Sequence, residues 1–442
     1  MPPEGLPSYD HSSSRHWRRQ LNIQAEHASQ RLAASTKTLN AWLRNYLYYS
    51  TLIYVFSLRL DAAAGLGLGI RLIELNLLLM CLVVKVMRIS GWILWFLLYI
   101  TVSWVIGIAH GTSLFSWSFL EYRAIVINVL YYYYFFKLIR NDPDRAFLAY
   151  ARLAFWFAVI AIPLWAFSIG WGQDTRLHGL ATEPAQFCAL ILPAYYWYAH
   201  LLLTTRKHVI EVAVFTLAVA LSASSLGYIC VAFGIVLLLS QRKKYLLVAP
   251  LIVAALLSAA YVASPYVRLR VDSARLIATT GDVTGAQLST YSFISNAIVT
   301  QQVLKESPLI GNGLGSHPTS HARFLDSIPG VEYFSGLSLE SMNALEAGSL
   351  TFRVLSEFGI VGYLGVLAFV IHFHVGGSGT RAAISNAIFV CFFFKLLRSG
   401  EYYQPEQFFF IFIYMLNYWK FKSEASCQEP LLGRVHTNAR LR

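Results

Sequence analysis

Charge is scarce in this chain. Only 13% of its 442 residues are charged and 56% are hydrophobic, whereas soluble domains carry roughly a quarter charged residues. That balance excludes a soluble globular protein and an intrinsically disordered one. Acids are scarcer than bases, 23 against 35. Cysteine is also rare. Cys81, Cys188, Cys230 and Cys391 lie in apolar runs and Cys427 in the polar tail. None has a C-x-x-C partner or a His at ligand spacing, which argues against a zinc site or a disulfide framework. No repeat of 20–50 residues is visible, so solenoid and propeller architectures are out. The first 45 residues are polar and have no early apolar core, which speaks against a secretory leader.

Long apolar runs are abundant. They fall near 46–58, 66–84, 91–109, 122–139, 153–169, 186–203, 209–223, 225–240, 245–263, 350–372, 382–397 and 406–420. Most approach the roughly 17–25 residues that cross a bilayer, so the expected fold is an all-α polytopic membrane protein with about twelve spans. Aromatic residues reach 15%, in keeping with rings at both water interfaces. Lys and Arg concentrate in alternate connections, at Lys85/Arg88, Lys137/Arg140/Arg145/Arg152, Arg206/Lys207, Arg242/Lys243/Lys244, Arg381 and the C-terminal tail. The positive-inside rule then places both termini in the cytoplasm. The expected organisation is a cytoplasmic tail over 1–45, about nine spans over 46–264, a large outer loop over 265–348, three spans over 349–420 and a cytoplasmic tail over 421–442. Within the loop, apolar residues at 289–304 recur at helical spacing and predict an amphipathic helix. The net charge of +12 is loop charge that sets orientation. It does not indicate a nucleic-acid partner.

In this topology ionisable residues gather at the outer ends of spans. They are Arg59/Asp61, Glu121/Arg123, Arg176/His178/Glu183, Arg353/Glu357 and Arg398/Glu401/Glu406. Such residues are costly in lipid and mark function or mutual pairing, so an arginine-rich cavity facing outward is expected. Arg176-Leu-His-Gly-Leu-Ala-Thr-Glu183-Pro is the most informative segment. An arginine fork suits phosphate oxygens. Glu183 either caps the following span or accepts a proton from a sugar hydroxyl. Gly311-Asn-Gly-Leu-Gly315 lacks the Lys-Ser/Thr of a P-loop and reads as a tight turn. His317 and His321 follow at i and i+4. With no third ligand they argue against a metal and leave a base or a diphosphate contact. Ser222-Ala-Ser-Ser225 reads as a polar turn between two spans. Arg270 and Gly281 satisfy an R-x10-G spacing too loose to weigh alone.

Three signatures in order resemble the O-antigen polymerase and O-antigen ligase superfamily. Arg176…Gly179…Glu183-Pro184 is similar to the R-x-x-G-x-x-x-E-P-[SA] segment of polymerase-type members. Ser307-Pro-Leu-Ile-Gly-Asn-Gly-Leu-Gly315 is similar to an S-P-L-x-G-x-G-x-G element. Leu355-Ser-Glu-Phe-Gly359-Ile-Val-Gly362 is similar to the E-x-G-x-x-G start of the span after the loop. The resemblance covers residues 176–400. It implies a cofactor-free, metal-independent glycosyltransferase of the bacterial inner membrane, acting at the periplasmic face on undecaprenyl-diphosphate-linked oligosaccharide. Membrane lipids surround it, and a chain-length regulator is a further partner that the resemblance brings with it.

Ligases carry a His eleven residues before the first glycine of the last signature. Gly348-Ser349 stand there instead, which favours a Wzy-like polymerase over a ligase. The family's Arg after the small-residue turn is replaced by Leu226. The site expected from this reading has Glu183 or His321 as base. Arg176, His178, Arg353, Arg398, Glu401, Arg123 and His317 hold the diphosphate and glycan. A lipid-linked glycan transporter is the alternative of another class. No hydropathy repeat and no paired Gly/Pro-broken helices support it in the sequence.

Overall fold

The computed structural model describes residues 40–56, 68–84, 89–170, 176–181, 183–241, 248–281 and 283–439. Among them every regular element is helical. The helices are α1 (40–54), α2 (Leu68–Val84), α3 (Gly91–Ala109), α4 (Phe115–Leu138), α5 (Pro143–Gly170), α6 (Pro184–Thr205), α7 (Val209–Ser222) and α8 (Ser225–Ser240). They continue as α9 (Ala249–Ala263), α10 (Pro265–Thr280), α11 (Leu288–Glu306), α12 (His317–Arg323), α13 (Val331–Ser335), α14 (Leu350–His372), α15 (Thr380–Leu397) and α16 (Pro405–Ala439).

Five of these are long and apolar enough to cross a membrane: α3, α5, α6, α14 and α15. A sixth is possible if α9 and α10 together form one span. The other apolar runs make shorter or more polar helices. α7 and α8 have 14 and 16 residues, below the roughly 17–25 that span a bilayer. α4 is long but carries Glu121 and Arg123 in its first half and four tyrosines in its second. The predicted charges at Arg59/Asp61 and Lys85/Arg88 lie outside the described residues, as does most of the N-terminal tail.

The largest core lies between α4, α5, α6, α15 and α16. Tyr131–Phe136 are buried on every side, because α4 is surrounded rather than half-exposed. Phe136 stacks on Phe412 at 5.7 Å and Tyr150 meets Phe410 edge-on at 5.0 Å. A second, smaller core (Val283, Tyr291, Val299, Ile328 and Phe334) organises the region after α10. α11 occupies 288–306, where the apolar spacing predicts a helix.

Two backbone breaks position the functional residues. Ser264 is extended, its hydroxyl caps the Val267 N–H, and Pro265 opens α10. Proline has no N–H to continue the preceding helix, so the chain bends by 103° between α9 and α10. The second break is inside α14 at Gly359, where φ is 64° and ψ −164°. Broken helices were not anticipated from the sequence, and both breaks are corrections to that reading.

Candidate active site

The Gly311–Gly315 turn and the glycines of α14 form one device. At the Gly359 break the helical ladder opens, and residues 308–313 fill it. The N–H groups of Asn312 and Gly313 donate to the carbonyls of Ser356 and Glu357, each at 2.9 Å. Those of Ile360 and Val361 donate to Pro308 and Leu309 at 2.9 and 3.1 Å. The orphan groups of the break are thereby satisfied inside protein, as membrane-depth backbone requires. A Cβ on Gly311 would lie 2.6 Å from the Glu357 carbonyl carbon, so the approach demands glycine. The turn is buried throughout and its N–H groups face protein rather than a phosphate.

Arg353 sits one turn above this junction and is fully buried. It pairs with Glu121 of α4, reaches Glu357 at 3.2 Å, and donates to the Gly400 carbonyl at 3.0 Å. Tyr402 lies against its guanidinium face at 4.4 Å. Each of its three nitrogens donates to protein. The structure thus gives Arg353 the task of tying α4, α14 and the 400–402 turn together, where the sequence reading expected a diphosphate contact. Arg123, expected beside Glu121, pairs instead with Glu74 of α2. Glu406 pairs with the buried Lys395.

The two histidines separate in role. His317 is buried, with Nδ1 2.8 Å from the Ser356 hydroxyl and Nε2 2.8 Å from Asn296 Oδ1. Burial, with the His321 and Arg353 charges adding, holds it well below the ordinary histidine range. It is a neutral core histidine, not a diphosphate ligand. His321 is also buried, and its Nε2 has no partner among the described residues. Burial lowers it and Glu340 opposes.

The remaining candidates converge. Glu183, Ala185 and Gln186 at the start of α6, Asn343, Glu346 and Gly348 before α14, and Phe394, Arg398 and Ser399 at the end of α15 line a small cavity of about 30 Å³. Glu183 occupies the cap position of α6, but its side chain makes no cap hydrogen bond and is exposed. Arg398 approaches Gly348 at ordinary contact distance: a Cβ there would lie 3.9 Å from Nη1. Arg270 of α10 comes within electrostatic reach of Arg398 and Arg176. Burial first, then those two charges, lower it to about 10, and Glu183 opposes them. Among the described residues no carboxylate lies within ion-pair distance of Arg270 or Arg398, in contrast to Arg353 and Arg381.

Arg176 closes this side. It donates to the Ser222 and Ala223 carbonyls at 3.3 and 3.5 Å and lies 4.9 Å over the Tyr266 ring. The small-residue turn therefore anchors the arginine. The His178 Nδ1 is 2.9 Å from the Ala181 carbonyl, which fixes the segment between them. Glu401 is oriented by Gln404, whose amide donates to it at 2.7 Å.

Beside this polar cluster runs an apolar cavity of about 690 Å³. Leu350, Val354, Phe358, Val361, Gly365 and Phe369 of α14 form one of its walls, spaced along a single face of the helix. The two halves of α14 together hold 23 residues, within the roughly 17–25 that cross a bilayer. Lys395 and Leu396 line the cavity, and Phe394 and Arg398 line the polar one. The two spaces therefore flank the C-terminal turn of α15 on different faces. Among the described residues no group of three His, Cys, Asp or Glu is placed to hold a metal ion.

Sequence reasoning missed Glu346, Asn343 and Gln186, and gave Arg270 no weight. Glu346 lies in an irregular segment with no periodicity to mark it. Arg270 reaches the cluster only because the chain bends at Pro265. No family model, curated protein or solved structure matches this chain.

Proposed function

We propose that this protein is a polysaccharide repeat-unit polymerase of the Wzy-like type. In this reading it has about twelve spans, cytoplasmic termini and an outer region over 265–348 in the periplasm of a bacterial inner membrane. It transfers a glycan from undecaprenyl diphosphate to a hydroxyl of another lipid-linked repeat, yielding O-antigen, capsule or exopolysaccharide.

The observation that carries this reading is the gathering of Arg176, Arg270 and Arg398 near a cavity lined by Glu183 and Glu346. Like charges brought together with no carboxylate at ion-pair distance from Arg270 or Arg398 raise one another's energy, and a polyanion relieves that cost. A diphosphate fits, because two arginine forks can share its oxygens and stabilise the charge that grows as it leaves. The adjoining apolar cavity suits the lipid tail. The second core of the outer region, α10 to α13, stands beside the cluster and is suited to cover sugars and exclude water.

A transporter of lipid-linked glycan is the second reading, and the broken α14 favours it, since transporters build sites at such breaks. Here the break is filled by the 308–313 backbone, which leaves no open carbonyls for cargo and weighs toward the enzyme.

The test is polymer formation by purified protein in lipid discs with lipid-linked oligosaccharide as sole substrate. Arg398→Ala is expected to lower the rate by about 100-fold or more, the scale of losing one charge-stabilising donor, while the protein stays folded. A wild-type protein that moves lipid-linked glycan across vesicles and makes no polymer would replace this reading by the transporter one.

A further inference from the structure

We infer that Glu346 is the proton acceptor of the transfer and that Glu401 positions it. This inference rests on the polymerase reading above.

The geometry comes first. Glu346 lines the polar cavity together with Arg398, Asn343 and Gln186, next to the arginines that hold the donor in this reading. The segment carrying it turns sharply, with positive φ at Ala347 and Gly348. That turn lies directly against the 398–401 segment: Gly400 touches the Glu346 carbonyl with no room for a side chain between them. The approach brings the Glu346 carboxyl beside that of Glu401. Glu401 is held in turn. Gln404 is buried, donates to Glu401 Oε2 at 2.7 Å, and accepts from the Ser399 hydroxyl at 3.0 Å. The second carboxyl is therefore fixed from behind, beside a residue that lines the cavity.

Two adjacent carboxyl groups cannot both ionise cheaply and come to share a proton. Burial and the Glu401 carboxyl push Glu346 up to about 8, with Glu183 adding and Arg353 opposing. Arg398 faces the same space from α15, and Tyr403 lies within reach of both carboxyls. An ordinary carboxylate near 4 is a poor proton acceptor at neutral pH, and a base is most effective when its affinity lies near the working pH. Glu346 meets that condition.

In the step itself, the acceptor hydroxyl oxygen bonds to the anomeric carbon of the donor. The bond from that carbon to the diphosphate oxygen breaks, and its electron pair leaves with the diphosphate beside Arg398. The hydroxyl proton passes to the ionised Glu346 carboxylate and afterwards to water. Since the ionised form is the acceptor, the rate rises with pH through about 8.

The experiment is a pH profile of polymer formation by full-length protein in lipid discs, using lipid-linked oligosaccharide, with inorganic pyrophosphate as a separate binding probe. The wild-type rate is expected to rise with an inflection near 8. Glu346→Gln is expected to lose about 100-fold or more in rate, the usual worth of a general base, and to keep pyrophosphate binding. Glu346→Asp, which keeps the carboxyl, is expected to recover part of the rate. Glu401→Gln removes the neighbouring negative charge and leaves a donor in its place, so its inflection moves down by about one unit or more. A purely structural Glu401 would not move it.

Glu346→Gln with wild-type rate and profile overturns the assignment while leaving the transfer itself intact. An unmoved inflection in Glu401→Gln overturns the positioning role. Should the wild type bind pyrophosphate, show by infrared a carboxyl titrating near 8 that both Gln variants lose, and still make no polymer, the transfer reading falls and the role of Glu346 as base falls with it.

Discussion

Arg353 shows at the scale of one residue how burial decides a role. Its guanidinium has carboxylates on two sides, a carbonyl on a third and a tyrosine ring across its face. Fully buried and so surrounded, it presents no exposed face to a ligand. Removing one member of such a set leaves buried charge uncompensated, so Arg353→Ala is expected to cost about 3–5 kcal/mol of stability. Thermal melting of the purified protein checks this. Arg398 is the opposite case, half-buried beside other cations, and its loss is expected to touch rate and leave melting nearly unchanged. The contrast between the two variants separates a structural arginine from a binding one.

The element that matters most is α14. Its two halves are joined across Gly359 by four hydrogen bonds to the 308–313 segment, so the turn and the helix stabilise each other. An alanine at 359 would force a side chain into a left-handed conformation and against the Leu309 backbone. Gly359→Ala is expected to destabilise by about 1–3 kcal/mol from strain alone, and by more from the collision. Because Gly311 meets the same junction, Gly311→Ala combined with Gly359→Ala is expected to cost less than the two separate losses added. A double-mutant cycle by melting reads this directly.

On the scale of the whole molecule, the apolar cavity and the arginine cluster flank the end of α15, which puts the space proposed for a lipid tail near the site proposed for its anionic head. Gly365 lines the cavity and has open space where a Cβ would stand. A large side chain is therefore admitted without collision. Gly365→Phe is expected to fill the cavity, leave melting within about 1 kcal/mol of wild type, as for a substitution that breaks no contact, and sharply reduce polymer formation. Unchanged polymer formation would dissociate the cavity from the lipid tail.

The sequence by itself determined the class of the protein and the location of its candidate residues. Apolar run length and sparse charge dictate helices in lipid, because only helices and closed barrels satisfy every backbone group there and continuous apolar runs of this length fit helices. α11 is legible in the spacing of its apolar residues for the same local reason. The Arg176–Glu183 segment and Arg398 are legible as charges at the ends of apolar runs. Tertiary structure alone decided which charges remain open to a ligand. Arg353 and Arg398 look alike in sequence, yet the first meets Glu121 from 232 residues away and the second meets other cations. His317 and His321 share one short helix, and only packing against Asn296 and Ser356 distinguishes them. Glu346 acquires its neighbour Glu401 through a backbone crossing that no local pattern encodes. Local periodicity reports which face of a helix avoids water; the pairing of charges depends on contacts between distant segments and is set when the chain folds.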